Sequence, residues 1–151
     1  MHDGFANGGC AYIAKRSFAA LIDYGLCWGA IWAYTILFGE QTASGSYQVQ
    51  GCIHVLAVMA IWILMLPLPE LLWGHGIGKG IFGLRVAPLS DHNATPSLPA
   101  VIKRQIALFF DLGMCAGILG LIVILTSPKR QRLGDLWAET TVVDENDVIV
   151  T

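Results

Sequence analysis

Charged residues are scarce in this chain, and positive charge is missing from one whole segment. Only 13% of the 151 residues are Asp, Glu, Lys or Arg, and 55% are hydrophobic. A typical soluble domain has about a quarter of its residues charged. None of the nine Lys and Arg residues lies between positions 39 and 51. The composition therefore excludes an ordinary soluble domain and predicts an integral membrane protein whose 39–51 loop lies outside the cytoplasm.

Several functional signatures are also missing. The N-terminal segment MHDGFANGGC has neither the basic start nor the apolar run of a cleavable signal peptide, so we expect the first apolar segment to remain as an anchor. The cysteines and histidines lack metal-ligand spacing. Gly78-Lys79-Gly80 is only a weak signal of a phosphate-binding loop, because the G-x-x-x-x-G-K-[ST] motif is missing and no strand precedes it. No nucleophile and base pair is visible. We expect no enzyme activity, no cofactor, no metal and no nucleic-acid partner.

Three apolar stretches set the layout of what we expect to be a single domain over residues 1–151. Residues 17–38 and 52–73 are each long enough to cross ~30 Å of hydrocarbon at ~1.5 Å per residue. The third stretch, 106–126, has the length but contains Asp111, Gly113, Gly117 and Gly120. The predicted fold class is an all-α membrane protein with two transmembrane helices, a third apolar element and a small cytoplasmic β element.

The distribution of positive charges favours one of two topologies for the third apolar element. If residues 106–126 cross the membrane once, Lys129, Arg130 and Arg132 end outside, against the positive-inside rule. If residues 97–126 form a re-entrant helical hairpin that breaks at 111–113, all nine basic residues and both termini are cytoplasmic. The charges favour the hairpin, whereas plain length favours a single third span.

The cytoplasmic connection over residues 74–99 is rich in glycine, and its Ile77, Ile81 and Phe82 are expected to enter the membrane interface. Residues 84–87 alternate as a short strand, and so do residues 140–143. Because a lone strand leaves its backbone unpaired, we expect these two segments to pair with each other.

Charged groups at membrane depth are costly and are kept mainly when they are paired or functional. Arg16 and Asp23 lie seven residues apart on nearly the same face of the first span, too far apart for direct contact. Glu70 lies near the end of the second span beside two prolines, Pro67 and Pro69. In the candidate cluster, Arg16 pairs with Asp135, and Arg132 lies next to Asp135. Asp23 and Asp111 are expected to lie at a polar seam between the helices.

Three segments of the chain resemble the Arg-Asp-Asp, or RDD, family of small membrane proteins. Residues 16–23 read RSFAALID, residues 78–86 read GKGIFGLRV, and residues 127–143 read SPKRQRLGDLWAETTVV. The resemblance implies a multi-spanning membrane protein whose defining residues are Arg16, Asp23 and Asp135. Transport is suggested for the family, and cation/proton exchange is proposed for some members. The chain departs from the family at Glu139, where a glycine is usual, and after Asp111, where a proline is common.

Two functions remain open from the sequence. An accessory or assembly subunit of a larger membrane complex would pack Gly25, Trp28, Gly29 and Trp32 against partner helices. A small oligomeric transporter, possibly for cation/proton exchange, would use Asp23 and Asp111 as protonatable groups. Either protein would sit in the lipid bilayer, and we expect a bacterial inner membrane with self-association or partner subunits.

The predicted topology can be checked by labelling single cysteines introduced at Ser46 and Thr151. A label that cannot cross the membrane should reach position 46 from outside and position 151 only from the cytoplasm, because that arrangement alone places every Lys and Arg on one side. Labelling of both positions from outside would exclude the hairpin and require a third span.

Overall fold

The computed structural model describes residues 9–115 and 131–144, which group into two compact units. The first unit comprises residues 9–68 and 76–82, and the second comprises residues 69–75 and 83–144 within the described ranges. The single domain expected from the sequence stays a prediction.

The first unit is built on one long helix, α1 (Gly9–Phe38). A short hairpin of β1 (Glu40–Gln41) and β2 (Tyr47–Gln48) follows, and then α2 (Cys52–Met65) packs against α1. The hydroxyl of Tyr34 and Nδ1 of His54 form a hydrogen bond of 2.9 Å between α1 and α2. A five-residue helix, α4 (Ile77–Ile81), also packs against α1.

Two boundaries differ from those predicted for the spans. Helix α1 begins eight residues before position 17, because the residues ahead of it include Ala, Lys and Arg, which favour helix, and no proline. The predicted 52–73 segment is divided into α2 and α3 (Pro67–Trp73), with Leu66 between them at φ −114° and ψ −70°. Pro67 accounts for the interruption, since its ring lacks an N–H and collides with the carbonyl four residues earlier.

Among the described residues, two helical segments are long and apolar enough to cross a membrane, Ala11–Phe38 and Cys52–Trp73. They correspond to the two spans predicted from the sequence. Most of their surface is not covered by the residues that the structure describes, which suits segments whose solvent is lipid.

The second unit places a two-stranded sheet beside two helices. Strand β3 (Leu84–Pro88) pairs antiparallel with β4 (Thr140–Asp144), with Val86 opposite Val142. Helix α5 (Leu98–Cys115) packs against α6 (Leu133–Trp137), and α6 packs against β4. The buried apolar residues of this unit include Leu84, Val101 and Ala107. The predicted pairing of residues 84–87 with 140–143 is confirmed, whereas the cytoplasmic position of the sheet stays a prediction.

The predicted break at residues 111–113 is wrong. Helix α5 runs without interruption through Asp111, Leu112 and Gly113 to Cys115. A glycine inside a helix costs only about 1 kcal/mol relative to alanine, which the flanking helical residues overcome. Residues 116–130, where the rest of the expected hairpin or third span falls, lie outside the described residues. Hairpin and single span therefore both stay predictions.

Glu139 adopts a backbone conformation that favours glycine. It connects α6 to β4 with φ at 53°, and it is the one residue other than glycine with positive φ in the part of the chain described. Its backbone is engaged on both sides, because its N–H donates to the carbonyl of Leu136 at 3.3 Å and its carbonyl accepts from Leu89 at 2.9 Å. The turn is thus held in place despite its steric cost.

We expect Glu139→Gly to raise the free energy of unfolding by about 0.5–1 kcal/mol. Relief of left-handed strain is worth about 1–2 kcal/mol, and the greater freedom of glycine in the unfolded chain offsets part of it. Thermal unfolding of the detergent-solubilised protein would measure the change. Glu139→Ala is the matched control, because it removes the carboxylate but keeps Cβ. An equal rise in the free energy of unfolding for both variants would mean that the carboxylate, and not the backbone conformation, destabilises the wild type.

Candidate functional site: a buried arginine and two carboxylates

One guanidinium group lies at the centre of the second unit. Arg104 projects from the middle of α5, and its side chain is only 11% exposed. Its Nε donates to Oε1 of Glu70 at 2.6 Å, and its Nη1 donates to Oδ1 of Asp135. The same Nη1 lies 3.0 Å from Oγ1 of Thr140. One side chain therefore joins α3, α5, α6 and β4.

The two carboxylates are more deeply buried than the cation between them. The side chains of Glu70 and Asp135 are 5% and 2% exposed. A carboxylate that loses its water must be compensated by a nearby cation and by hydrogen-bond donors, or its burial costs several kcal/mol. The planar guanidinium suits this task because its N–H groups point in fixed directions toward two different acceptors.

Asp135 has a second role at the start of α6. It occupies the third position of that helix, and its Oδ2 accepts the backbone N–H of Arg132 at 3.0 Å. The first amides of a helix have no partner within the helix, so an acidic side chain in this turn stabilises it. Asp135 thereby holds the start of α6 with one oxygen and Arg104 with the other.

Close packing brings α6 to Arg104. A Cβ added to Gly134 would lie 3.1 Å from Cβ of Ala107 and 3.3 Å from the Arg104 backbone, which is tighter than ordinary side-chain contact. Gln131 supports the same region by donating from Nε2 to the carbonyl of Thr140 at 2.6 Å. The glycine in the RLGD sequence thus allows Asp135 to reach the guanidinium.

The end of α3 positions Glu70. The N–H of Gly74 donates to the carbonyl of Glu70 at 3.0 Å, and the carbonyl of Gly74 accepts from Val86 of β3 at 2.7 Å. These two bonds tie the helix turn that carries Glu70 to the sheet. The carboxylate is consequently fixed by backbone contacts as well as by its ion pair.

Asp23 has its partner in the first unit. It is 6% exposed on α1, and its Oδ1 accepts the backbone N–H of Gly78 in α4 at 2.6 Å. A Cβ on Gly76 would lie 2.6–2.9 Å from the same carboxyl group. Asp23 therefore acts as a capping acid for a helix that lies more than fifty residues later in the chain.

The sequence-based cluster is only partly assembled by these contacts. Asp135 and the backbone of Arg132 meet, whereas Arg16 and Asp23 belong to the first unit; Arg16 is 5% exposed, on the same buried side of α1 as Asp23. The expected pair of Arg16 with Asp135 joins residues of different units and stays a prediction. Asp111 lies within α5, and its side chain is outside the described residues.

Sequence reasoning missed Arg104 because it was treated as a marker of topology. A signal was available in the spacing: Arg104 follows the buried residues Ala100 and Val101 by four and three positions and precedes the buried Ala107 by three. Residues at these spacings share one face of a helix. A basic residue on the apolar face of an amphipathic helix predicts a buried ion pair.

The arrangement brings together ion pairs within the chain. Within the described ranges, no three His, Cys, Asp or Glu side chains lie together in a way that would hold a metal ion. Two helical segments able to cross a bilayer, in a chain whose buried acids are paired within each unit, define a helical membrane protein stabilised by intrachain polar contacts.

The comparison with protein families identifies the class further. The RDD family model matches residues 10–139, most of the chain, so the protein belongs to the RDD family, whose members are membrane proteins. The resemblance seen in the three sequence segments is thereby confirmed. No curated protein and no solved structure matches this chain.

We expect Arg104→Met to lower the free energy of unfolding by about 3–5 kcal/mol, because it leaves two buried carboxylates without the cation between them. Arg104→Lys should recover only part of the loss, since a single ammonium cannot reproduce the directed N–H groups. Denaturation in detergent would measure both. Lys103→Met, at the exposed neighbouring position, is the control and should change stability by less than about 0.5 kcal/mol.

A double-mutant cycle tests the contact itself. Arg104→Ala and Asp135→Ala should together lose less stability than the sum of the single losses, with an interaction term of at least about 1 kcal/mol. Strict additivity would mean that the two groups do not interact in the membrane-embedded protein.

Proposed function

We propose that this protein is a non-enzymatic accessory or assembly subunit of a larger membrane complex. The observation that carries the proposal is the outer face of α1. Trp28, Gly29 and Trp32 follow Gly25 by three, four and seven residues, which places all of them on one side of the helix. This set is called the Gly-Trp face below.

The Gly-Trp face is left uncovered by the described residues of the chain. Trp28 is 67% exposed and Trp32 is 72% exposed. A Cβ added to Gly25 or Gly29 would meet nothing within 4 Å. The glycines therefore form a shallow depression flanked by two large rings, and neither glycine is explained by packing within the described chain.

Such a surface favours another helix over lipid alone. Between helices in a bilayer there is little hydrophobic driving force, so association depends on close backbone approach at small residues and on the contact area of large ones. Gly25 and Gly29 have the four-residue spacing that allows two helix backbones to approach closely. The two tryptophans would supply broad, rigid contact surfaces beside them.

The opposite face of α1 supports the same proposal. It carries Arg16, Ala19, Asp23 and Cys27, all buried, and the Asp23 carboxylate accepts an amide of the protein. Glu70 and Asp135 are likewise engaged by Arg104. Acids that neutralise groups of their own chain serve assembly of the subunit. A cation exchanger that used Asp23 would have to break its bond to the Gly78 amide in each cycle.

Gly29→Leu should abolish stable association with the partner while leaving the subunit folded, because the larger side chain fills the depression and prevents backbone approach. The measurement is co-purification in a mild detergent, with the stoichiometry of the complex read by light scattering. Ala60→Leu, at an exposed small residue of α2, is the matched control and should leave the complex intact.

Cation/proton exchange by a homo-oligomer is the competing function. It predicts that the purified protein alone forms an oligomer and moves protons in response to a monovalent cation gradient in proteoliposomes. A flux of this kind in the wild type, lost in Asp23→Asn, would overturn the accessory role. Loss of the complex in Ala60→Leu as readily as in Gly29→Leu would remove the Gly-Trp face as its cause.

A further inference from the structure

The short helix α4 is held tightly against the backbone of α1. The N–H of Gly78 donates to the carboxylate of Asp23 at 2.6 Å. A Cβ on Gly78 would overlap the carbonyl oxygen of Ala19, and a Cβ on Gly76 would overlap the Asp23 carboxyl group. Gly78 is therefore required by the close approach of α4 to the α1 backbone, and Gly76 leaves room for the Asp23 carboxyl group. Helix α4 lies at the level of residues 19–23 of α1.

The length of α1 tells where that level falls in a bilayer. Helix α1 ends at Phe38, just before the polar β1–β2 hairpin. About 20 residues, at ~1.5 Å each, cross the ~30 Å of hydrocarbon, so a span that ends at Phe38 begins near Ala19. Lys15 is exposed one turn earlier, as expected of a basic residue next to a span end. Ala19 thus marks the boundary, and Asp23 lies ~6 Å inside it.

The outer face of α4 is apolar. Ile77 is 53% exposed and Ile81 is 65% exposed, and their four-residue spacing places them on the same side of the helix. Gly78, which contacts α1, is buried. Helix α4 therefore packs on α1 with one face and exposes aliphatic side chains on the other. At the hydrocarbon boundary, such an exposed face contacts lipid favourably.

We propose that α4 is an interfacial lipid anchor, in which Ile77 and Ile81 enter the acyl region of the bilayer and Asp23 satisfies the amide end of the helix below the membrane surface. The occupant of the exposed face is lipid. This inference is independent of the accessory role, since it concerns only how the subunit sits in its own bilayer.

The proposal gives Asp23 a physical reason to be acidic at membrane depth. The first amides of any helix lack partners within it. In water they bind solvent, but several ångströms below the surface an unsatisfied amide costs several kcal/mol. The carboxylate of Asp23 meets that need where the first turn of α4 lies deepest. The ~6 Å between Ala19 and Asp23 matches the 5–10 Å to which interfacial helices enter.

Depth-dependent fluorescence quenching tests the lipid contact. A fluorescent unnatural amino acid is incorporated at position 77 or 81, and the protein is placed in phosphatidylcholine vesicles. Nitroxide carried by the lipid near the headgroup should quench both positions severalfold more strongly than aqueous iodide does. Ser44, exposed in the β1–β2 turn, is the control position and should be quenched by iodide. Iodide quenching at position 81 equal to that at 44, or protection from both quenchers, would overturn the proposal.

Variants of Asp23 test its part in the arrangement, read at position 81 in the same vesicles. Asp23→Asn keeps a carbonyl acceptor for the Gly78 amide and should preserve the lipid quenching. Asp23→Leu has no acceptor and should shift position 81 toward iodide severalfold. Gly78→Val leaves the acid intact but collides with Ala19, and it should produce the same shift. Unchanged lipid quenching in folded Asp23→Leu protein would show that Asp23 does not hold α4 at the membrane. Proton flux and partner binding test the proposed function separately.

Discussion

Polar groups that leave water must find their partners within the protein, and this constraint organises the described structure. Each buried amide or charge that remains unpaired costs several kcal/mol. Arg104 forms ion pairs with two buried carboxylates at once, those of Glu70 and Asp135. The elements that carry these acids are positioned around one guanidinium, and the buried sheet of β3 and β4 adjoins it through Thr140.

The first unit meets the same constraint with a backbone donor instead of a cation. Asp23 accepts the amide of Gly78, and the glycines at 76 and 78 allow the approach that makes the bond possible. A side chain at position 78 would collide with the backbone of Ala19 and separate α4 from α1, and a side chain at position 76 would displace the Asp23 carboxyl group from its bond to Gly78. The acid in α1 and the glycine-rich GKG segment are therefore parts of a single interaction, although some fifty residues of sequence lie between them.

The sequence was sufficient where local pattern and global need agreed. Alternation in residues 84–87 and 140–143, joined with the requirement that strand backbones pair, predicted the β3–β4 ladder. It was insufficient where a residue has two uses. The charge pattern predicts Arg104 at the end of a span, and in the structure it also neutralises two buried acids. As a glycine, Gly113 is expected to break a helix, but it lies inside α5. The outcome at such residues depends on tertiary neighbours, which a single sequence does not display.

The double use of Arg104 also bears on the third apolar element. If Lys103 and Arg104 lie at the membrane surface, α5 continues for eleven residues to Cys115, a rise of ~16 Å, which reaches about the middle of ~30 Å of hydrocarbon. A chain that turns back must then do so after Cys115, rather than at Asp111. Asp111 would lie on a continuous helix within the hydrocarbon instead of at a shielded turn, and by the constraint that governs Asp23 and Asp135 it needs a donor from the protein itself.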